Sequence, residues 1–162
     1  MITRLAAVSD AQTIADIVNP VIRDTAITFN AQERSATDIA QAIETLPCYL
    51  VAEDVGEVIG FASYDQFRKG IGYARAMEHT IVLAKTARGK GAGRALMSAV
   101  TDHARAAGVG SLWAGVSSEN PAGVAFHTSL GFETIATLPK VGFKFGRWMD
   151  LVLMRQWLDP KD

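Results

Sequence analysis

A chain of 162 residues with a net charge of -1 has room for one domain and carries no global basic field for nucleic acid. About half of the residues are apolar (49%) and 20% are charged, as in water-soluble globular domains, and the apolar runs are too short to span a bilayer. Cys48 is the only cysteine, which excludes an internal disulfide and a cysteine-built zinc cage.

The opening MITRLAAVSDAQ lacks the long apolar centre of a secretory signal, so a cytoplasmic protein is expected. Residues 2–8 (ITRLAAV) read as a strand, after which Ser9 or Asp10 offers a side-chain oxygen to the free amides of a helix. Ala11, Ile14, Ala15, Val18, Val21 and Ile22 repeat at helical spacing, and Pro20 is expected to kink or end that helix. A second helix is predicted from Ser35 or Thr37 to Leu46, where Pro47 stops it. CYLVAED (48–54) and EVIGFASYDQF (57–67) read as a hairpin turning at Val55-Gly56, and MEHTIVLA (77–84) as the next strand.

From Ala92 to Ala107 small and apolar residues mark one face of a helix that Gly108 ends. SLWAGVS (111–117) returns as a strand, ENPAGVAFHTSL (119–130) as a helix closed by Gly131, FETIATL (132–138) as a strand and RWMDLVLMRQWL (147–158) as a final strand. This order gives an α/β protein, a mixed sheet with helices on its faces, in one domain over residues 1–162 without repeats or linkers.

The segment ARGKGAGRALM (87–97) has the parts of an anion cradle: a strand before it, glycines that let backbone approach closely, and a helix whose first amides have no partner. Arg88, Lys90 and Arg94 add charge around it. The plain alternative is a glycine-bearing turn leading into a solvated basic helix. A nucleoside-triphosphate loop needs Gly-Lys followed by Ser or Thr, but Gly91-Ala92 follows Lys90, so no hydroxyl is available for magnesium. A dinucleotide loop belongs after the first strand, and this segment lies in mid-chain. A metal-free pyrophosphate fits better.

Arg88-x-x-Gly91-x-Gly93, with its preceding strand and following helix, resembles the acetyl-CoA pyrophosphate loop of the GNAT N-acetyltransferase superfamily. Asn120-Pro-Ala-Gly-Val-Ala-Phe-His127-Thr-Ser-Leu-Gly131-Phe132 resembles its Asn…Tyr/His…Gly-Phe element. YDQFR (64–68), MEHTIVL (77–83), LGFE (130–133) and VGFKFGRWMDLVLM (141–154) are similar to the branch that acetylates phosphinothricin and methionine sulfone or sulfoximine. The resemblance spans almost the whole chain. It implies a mostly antiparallel central sheet whose splayed middle strands hold acetyl-CoA, which donates acetyl to the α-amine of a small amino acid analogue in a ternary complex.

Acetyl transfer needs a deprotonated amine, a polarised carbonyl and a proton for the leaving thiolate. An α-amino group has a pKa of roughly 8, so a base must take its proton near neutrality. The resemblance places the catalytic glutamate at Glu78; read from the residues alone, Glu78 equally suits a strand-end carboxylate paired with Arg75 or with solvent. It also implies that main-chain amides of Ile81, Val82 and Leu83 meet the thioester. The pyrophosphate falls to Gly89, Lys90, Gly91, Ala92, Gly93 and Arg94 with Arg88 at the edge, Ser129 lies beside the cofactor, and Asn120 touches the pantetheine arm. Asn120 also suits a helix cap before Pro121. His127 is either the proton donor to the thiolate or a polar packing residue.

For the acceptor the resemblance points to Arg68, with Lys69, Gly70, His79 and Thr80 beside Glu78, and less directly to Arg75. Arginine forks suit a carboxylate or an oxidised sulfur or phosphorus group. Lys69-Gly70, where relatives carry Pro and an aromatic, and Val18-Asn19-Pro20 depart from the branch and leave the preferred side chain open. Phe29, Phe67 and Tyr73 are pocket or core aromatics. Neither His79 nor His103 has a partner at metal-binding spacing, so no metal is expected. Cys48, without a nearby histidine, is not expected to carry acetyl. FKFGRWMDLVLM implies a homodimer, with Phe143, Phe145 and Trp148 near the site. Two alternatives stay open: a module that binds acyl-CoA without turnover, and an enzyme for a polyamine, an aminoglycoside or a protein amino terminus.

Overall fold

The computed structural model describes residues 1–160. Seven strands form one sheet: β1 (Ile2–Leu5), β2 (Cys48–Asp54), β3 (Glu57–Gln66), β4 (Ala76–Leu83), β5 (Ser111–Ser117), β6 (Glu133–Lys144) and β7 (Arg147–Trp157). Their order is β1-β2-β3-β4-β5-β7-β6, and β4 with β5 is the parallel pair among antiparallel neighbours. The expected mixed, mostly antiparallel sheet is thus present.

Helices α1 (Ala11–Asp24) and α2 (Ala36–Thr45) cover one face, and α3 (Ala92–Ala106) and α4 (Pro121–Ser129) the other. Alternation along the strands sends side chains to two cores. Tyr49, Val51 and Phe61 meet Ile14, Ile22 and Ile39 under α1 and α2. Leu50, Ala62 and Tyr64 meet Leu96, Met97 and Val100 under α3. Burying each large aliphatic side chain of these layers contributes roughly 1.5–3 kcal/mol.

Caps and turns follow the local chemistry. Ser35 accepts from the Asp38 amide and starts α2, and Val55-Gly56 turn the β2–β3 hairpin with φ of 50° and 80°. Before α1, Asp10 accepts from the Ala7 amide and from both terminal nitrogens of Arg4.

Three expectations are corrected. Of the two outcomes expected at Pro20, ending the helix is overturned, since α1 runs on to Asp24. The carbonyl it leaves without an N–H partner belongs to Asp16, an exposed residue, where solvent can reach it. The strand predicted over 132–138 extends to Lys144, through an irregularity between Leu138 and Gly142 where Lys140 takes φ 53° and its amide donates to Asp150. The first strand also stops at Leu5 rather than residue 8.

Candidate active site

Strands β4 and β5 pair over three rungs only, Ala76↔Ser111, Met77↔Leu112 and Glu78↔Trp113, and diverge beyond Glu78. The divergence leaves strand backbone without a ladder partner and opens a cleft of about 650 Å³. Its walls include Ser63 and Asp65 from β3, Glu78 through Val82 from β4, Gly115 through Ser117 from β5, and Val18 and Ile22 from α1. The loop after α1 closes one side with Thr28, Phe29, Asn30 and Arg34, and Asn19 pins Arg34 by exchanging hydrogen bonds with its amide and carbonyl.

Glu78 stands at the last rung, open to the cleft, and burial by the surrounding walls pushes its carboxyl above the usual range. Opposite it, Gly115 has no side chain, and a Cβ there would lie 3.9 Å from either Glu78 oxygen. Asp65 pairs with Glu78 across β3 and β4, so two carboxylates share one face of the sheet. Arg75 does not reach Glu78: its guanidinium binds the Gly108 carbonyl and Asp159.

His79 points to the other face of β4 and is buried. Its Nδ1 donates to the Trp113 carbonyl at 3.0 Å, and its Nε2 lies 3.0 Å from Nε2 of His127. His127 is buried on α4, and its Nδ1 donates to the Gly123 carbonyl at 2.7 Å. Phe132 packs against both rings and Phe126 against His127. Burial pulls both imidazoles below their ordinary pKa.

The glycine turn matches its sequence logic. Gly89 and Gly91 take φ of 77° and 82°, and Gly91 forms the N-cap of α3 without any side-chain cap. The first intrahelical bond joins the Ala95 amide to the Gly91 carbonyl, so the amides of Ala92, Gly93 and Arg94 precede the helical ladder. Gly93 serves packing: a Cβ there would lie 3.2 Å from Phe126 and 3.4 Å from Leu83. Arg88, Lys90 and Arg94 are exposed around the turn, and Arg94 donates to Ser129 on α4. These free amides and flanking cations fit a pyrophosphate. Asn120 caps α4 through the Gly123 amide while also lining the cleft, so both of its expected roles are open to it.

Thr80, Ile81 and Val82 line the cleft, whereas Leu83 packs into the core. Arg68, Lys69 and Gly70 stand in the exposed loop after β3, beyond the cleft walls; Gln66 donates to the carbonyls of Arg68 and Gly70, and Arg68 lies over the Tyr73 ring. Phe29 and Phe67 line the cleft, and Phe67 also stacks on Trp113. The Cys48 thiol is buried and pushed up to about 11, which keeps it protonated. Sequence reasoning missed Asp65 and Arg34, and it did not join His79 to His127. None of these had a local signal: the connection between β3 and β4 is too long to fix their register, and Arg34 and the histidine pair come together only through packing.

Residues 18–132 match the profile of the "Acetyltransferase (GNAT) family". The chain belongs to that family. The acetyltransferase is 39% identical to the L-amino acid N-acyltransferase MnaT of Escherichia coli, over 99% of this chain and 96% of that protein. It is 36% identical to the L-methionine sulfoximine/L-methionine sulfone acetyltransferase of Pseudomonas paraeruginosa, over 97% and 94%. Among solved structures it resembles yncA of Salmonella typhimurium with acetyl-CoA (TM-score 0.94, 35% identity, 100% and 96% covered). It also resembles a phosphinothricin acetyltransferase of Sinorhizobium meliloti with acetyl-CoA (TM-score 0.92, 32% identity, 97% and 88% covered). Acetyl-CoA is the donor in this family, and the free amides before α3 and the gap between β4 and β5 suit it. Among the described residues no helix is long and apolar enough to cross a membrane.

Proposed function

We propose that this acetyltransferase moves the acetyl group of acetyl-CoA to the α-amine of a small amino acid analogue, of the methionine sulfoximine, methionine sulfone or phosphinothricin type. The observation that carries the reading is the place of Glu78, at the last rung before β4 and β5 part and facing a cleft of about 650 Å³. A cleft of that size suits a small molecule.

The amine meets Glu78 and Asp65, whose negative charges attract an α-ammonium, and Arg34 on the facing loop offers a fork to the acceptor's carboxylate. Glu78 takes a proton from the ammonium, directly or through a water, and its raised pKa brings it closer to the amine's own. Acetyl-CoA supplies the activated acetyl group. The amides from Gly89 to Arg94, Arg88 and Ser129 hold its pyrophosphate end, Asn120 its pantetheine arm, and strand backbone at Ile81 and Val82 its thioester. The loop Arg68–Gly70 meets the acceptor only at the mouth of the cleft.

The exposed Val141, Phe143, Phe145 and Trp148 on the β6–β7 hairpin support a homodimer, and the reduced buried Cys48 agrees with a cytoplasmic setting. Thiol release from acetyl-CoA, measured with phosphinothricin, methionine sulfoximine, methionine sulfone, ordinary amino acids, polyamines and an alanine-starting peptide, tests the function. Turnover with the amino acid analogues is expected. Turnover confined to polyamines or the peptide would refute the acceptor class, and acetyl-CoA binding without turnover would make the protein a binding module.

A further inference from the structure

The histidine pair has more hydrogen-bond demand than two neutral rings can meet. Carbonyl oxygens only accept, so the bonds to Trp113 and Gly123 place a proton on Nδ1 of both His79 and His127. A neutral imidazole protonated at Nδ1 is bare at Nε2. Two bare Nε2 atoms would then face each other, lone pair against lone pair, at 3.0 Å. A contact of that length is a hydrogen bond only if one further proton lies between the rings.

We infer that His79 and His127 hold one shared proton between their Nε2 atoms, three protons on four ring nitrogens, and so form a single buried positive charge where β4 and β5 diverge. The surroundings set how tightly it is held. β3 contributes Tyr64, the register partner of His79, whose hydroxyl is bonded to His103 of α3. β4 contributes Glu78 on its opposite face, β5 the Trp113 carbonyl, α4 the Gly123 carbonyl and Phe126, and the segment after α4 contributes Phe132. The carbonyl oxygens favour the charge, while the aromatic packing and the burial that pulls both imidazoles below their ordinary pKa oppose it, so only the bond between the rings holds the proton and it is readily lost.

That balance suits a proton donor, and this consequence rests on the acetyl-transfer reading. Both rings line the cleft from the face opposite Glu78. As the amine's C–N bond forms and the thioester C–S bond breaks, sulfur keeps the electron pair and takes the shared proton. The pair is reloaded by the proton that the attacking nitrogen sheds, and the proton taken earlier by Glu78 goes to solvent. His79 thereby becomes half of a proton store rather than an acceptor-binding residue.

The full chain labelled with ¹⁵N-histidine, free of acetyl-CoA and acceptor, tests the protonation independently of activity. A proton resonance far downfield of ordinary imidazole N–H signals is expected, tied to two Nε2 nitrogens and vanishing in one titration as pH rises. His103, the remaining histidine, serves as the internal reference. In His127→Phe the signal is lost and His79 becomes a neutral Nδ1–H ring. Two neutral rings with bare Nε2 atoms throughout pH 6–8 would overturn the pair. For the donor role, kcat for thiol release should fall as pH rises through that titration, and His79→Asn should lower kcat about 100-fold with little change in acceptor KM. A kcat indifferent to that titration would overturn the donor role, even if the amino acid acceptors prove correct.

Discussion

The ammonium of Lys144 donates to the carbonyl of Ile22 at 2.6 Å, joining the end of β6 to the end of α1. Lys144 is buried, and its other two protons go to the carbonyls of Thr25 and Thr28 at 2.7 and 2.9 Å. Helix ends leave such carbonyls unpaired and favour a cation there. The clamp therefore fixes the loop that carries Thr28, Phe29 and Asn30 into the cleft. Lys144→Met should lower the unfolding free energy by about 2–3 kcal/mol. In thiol-release kinetics it should raise the acceptor KM several-fold and leave the acetyl-CoA KM unchanged; an unchanged acceptor KM would separate the clamp from the cleft.

Gly142 holds the same loop from below. A Cβ added there would lie 2.4 Å from the Phe29 ring, so Gly142→Ala must displace a cleft residue. The expected cost is about 1–3 kcal/mol, read in denaturant unfolding, with a weaker acceptor affinity beside it. A variant as stable as the parent would show that Phe29 repacks freely.

Glu78→Gln should lower kcat/KM about 100-fold or more near neutrality, with a loss that shrinks as pH rises and the amine deprotonates unaided. The parent's acidic limb should lie above the ordinary carboxylate range, since burial raises the Glu78 pKa. The stability effect runs the other way. A carboxyl whose folded pKa lies above its unfolded value binds more protons when folded, so its contribution falls as pH rises through that window. At pH 7 the charged Glu78 thus costs stability, and the glutamine variant should melt no lower than the parent. A lower melting temperature would contradict that account.

Gly91→Val forces a β-branched residue into φ 82°, although open space surrounds its Cβ. The distortion falls on the amides that open α3, so the acetyl-CoA KM should rise at least tenfold while the acceptor KM holds. Equal affinity for acetyl-CoA in parent and variant would remove the turn from donor binding.

Asp10 is held well below the usual carboxylate range by its hydrogen bonds from Arg4, helped by the Ala7 amide. With a depressed folded pKa, its stabilisation is present above the unfolded value and is lost as pH falls through the folded one. Asp10→Asn should destabilise by about 1.5–3 kcal/mol at pH 7, with the difference closing in acid. Urea unfolding at pH 7 and near pH 3 checks this, and a pH-independent difference would point to packing instead of charge.

The elements most legible in sequence were those whose signal is local. Ile14, Val18 and Ile22 declare a buried helical face, Ser35 a cap, and Val55-Gly56 a turn, and each appears where spacing places it. The extension of β6 was hidden, because Pro139 and Gly142 interrupt the strand pattern, and the strand resumes past the irregularity only through the pairing of Gly142, Phe143 and Lys144 with β7. Pro20 did not end α1, because the carbonyl it frees lies on exposed Asp16, where solvent can reach it.

The same division runs through the site. The sequence by itself determined the glycine turn and the strand bearing Glu78, since positive φ, free helix amides and alternation are properties of neighbouring residues. Only the tertiary structure decided that Asp65 stands beside Glu78, that Arg34 rather than Arg68 lines the cleft, and that His79 meets His127 across 48 positions. Those relations depend on sheet register and on the parting of β4 from β5. Such contacts between distant segments are set by packing across the whole domain, and no short stretch of chain encodes them.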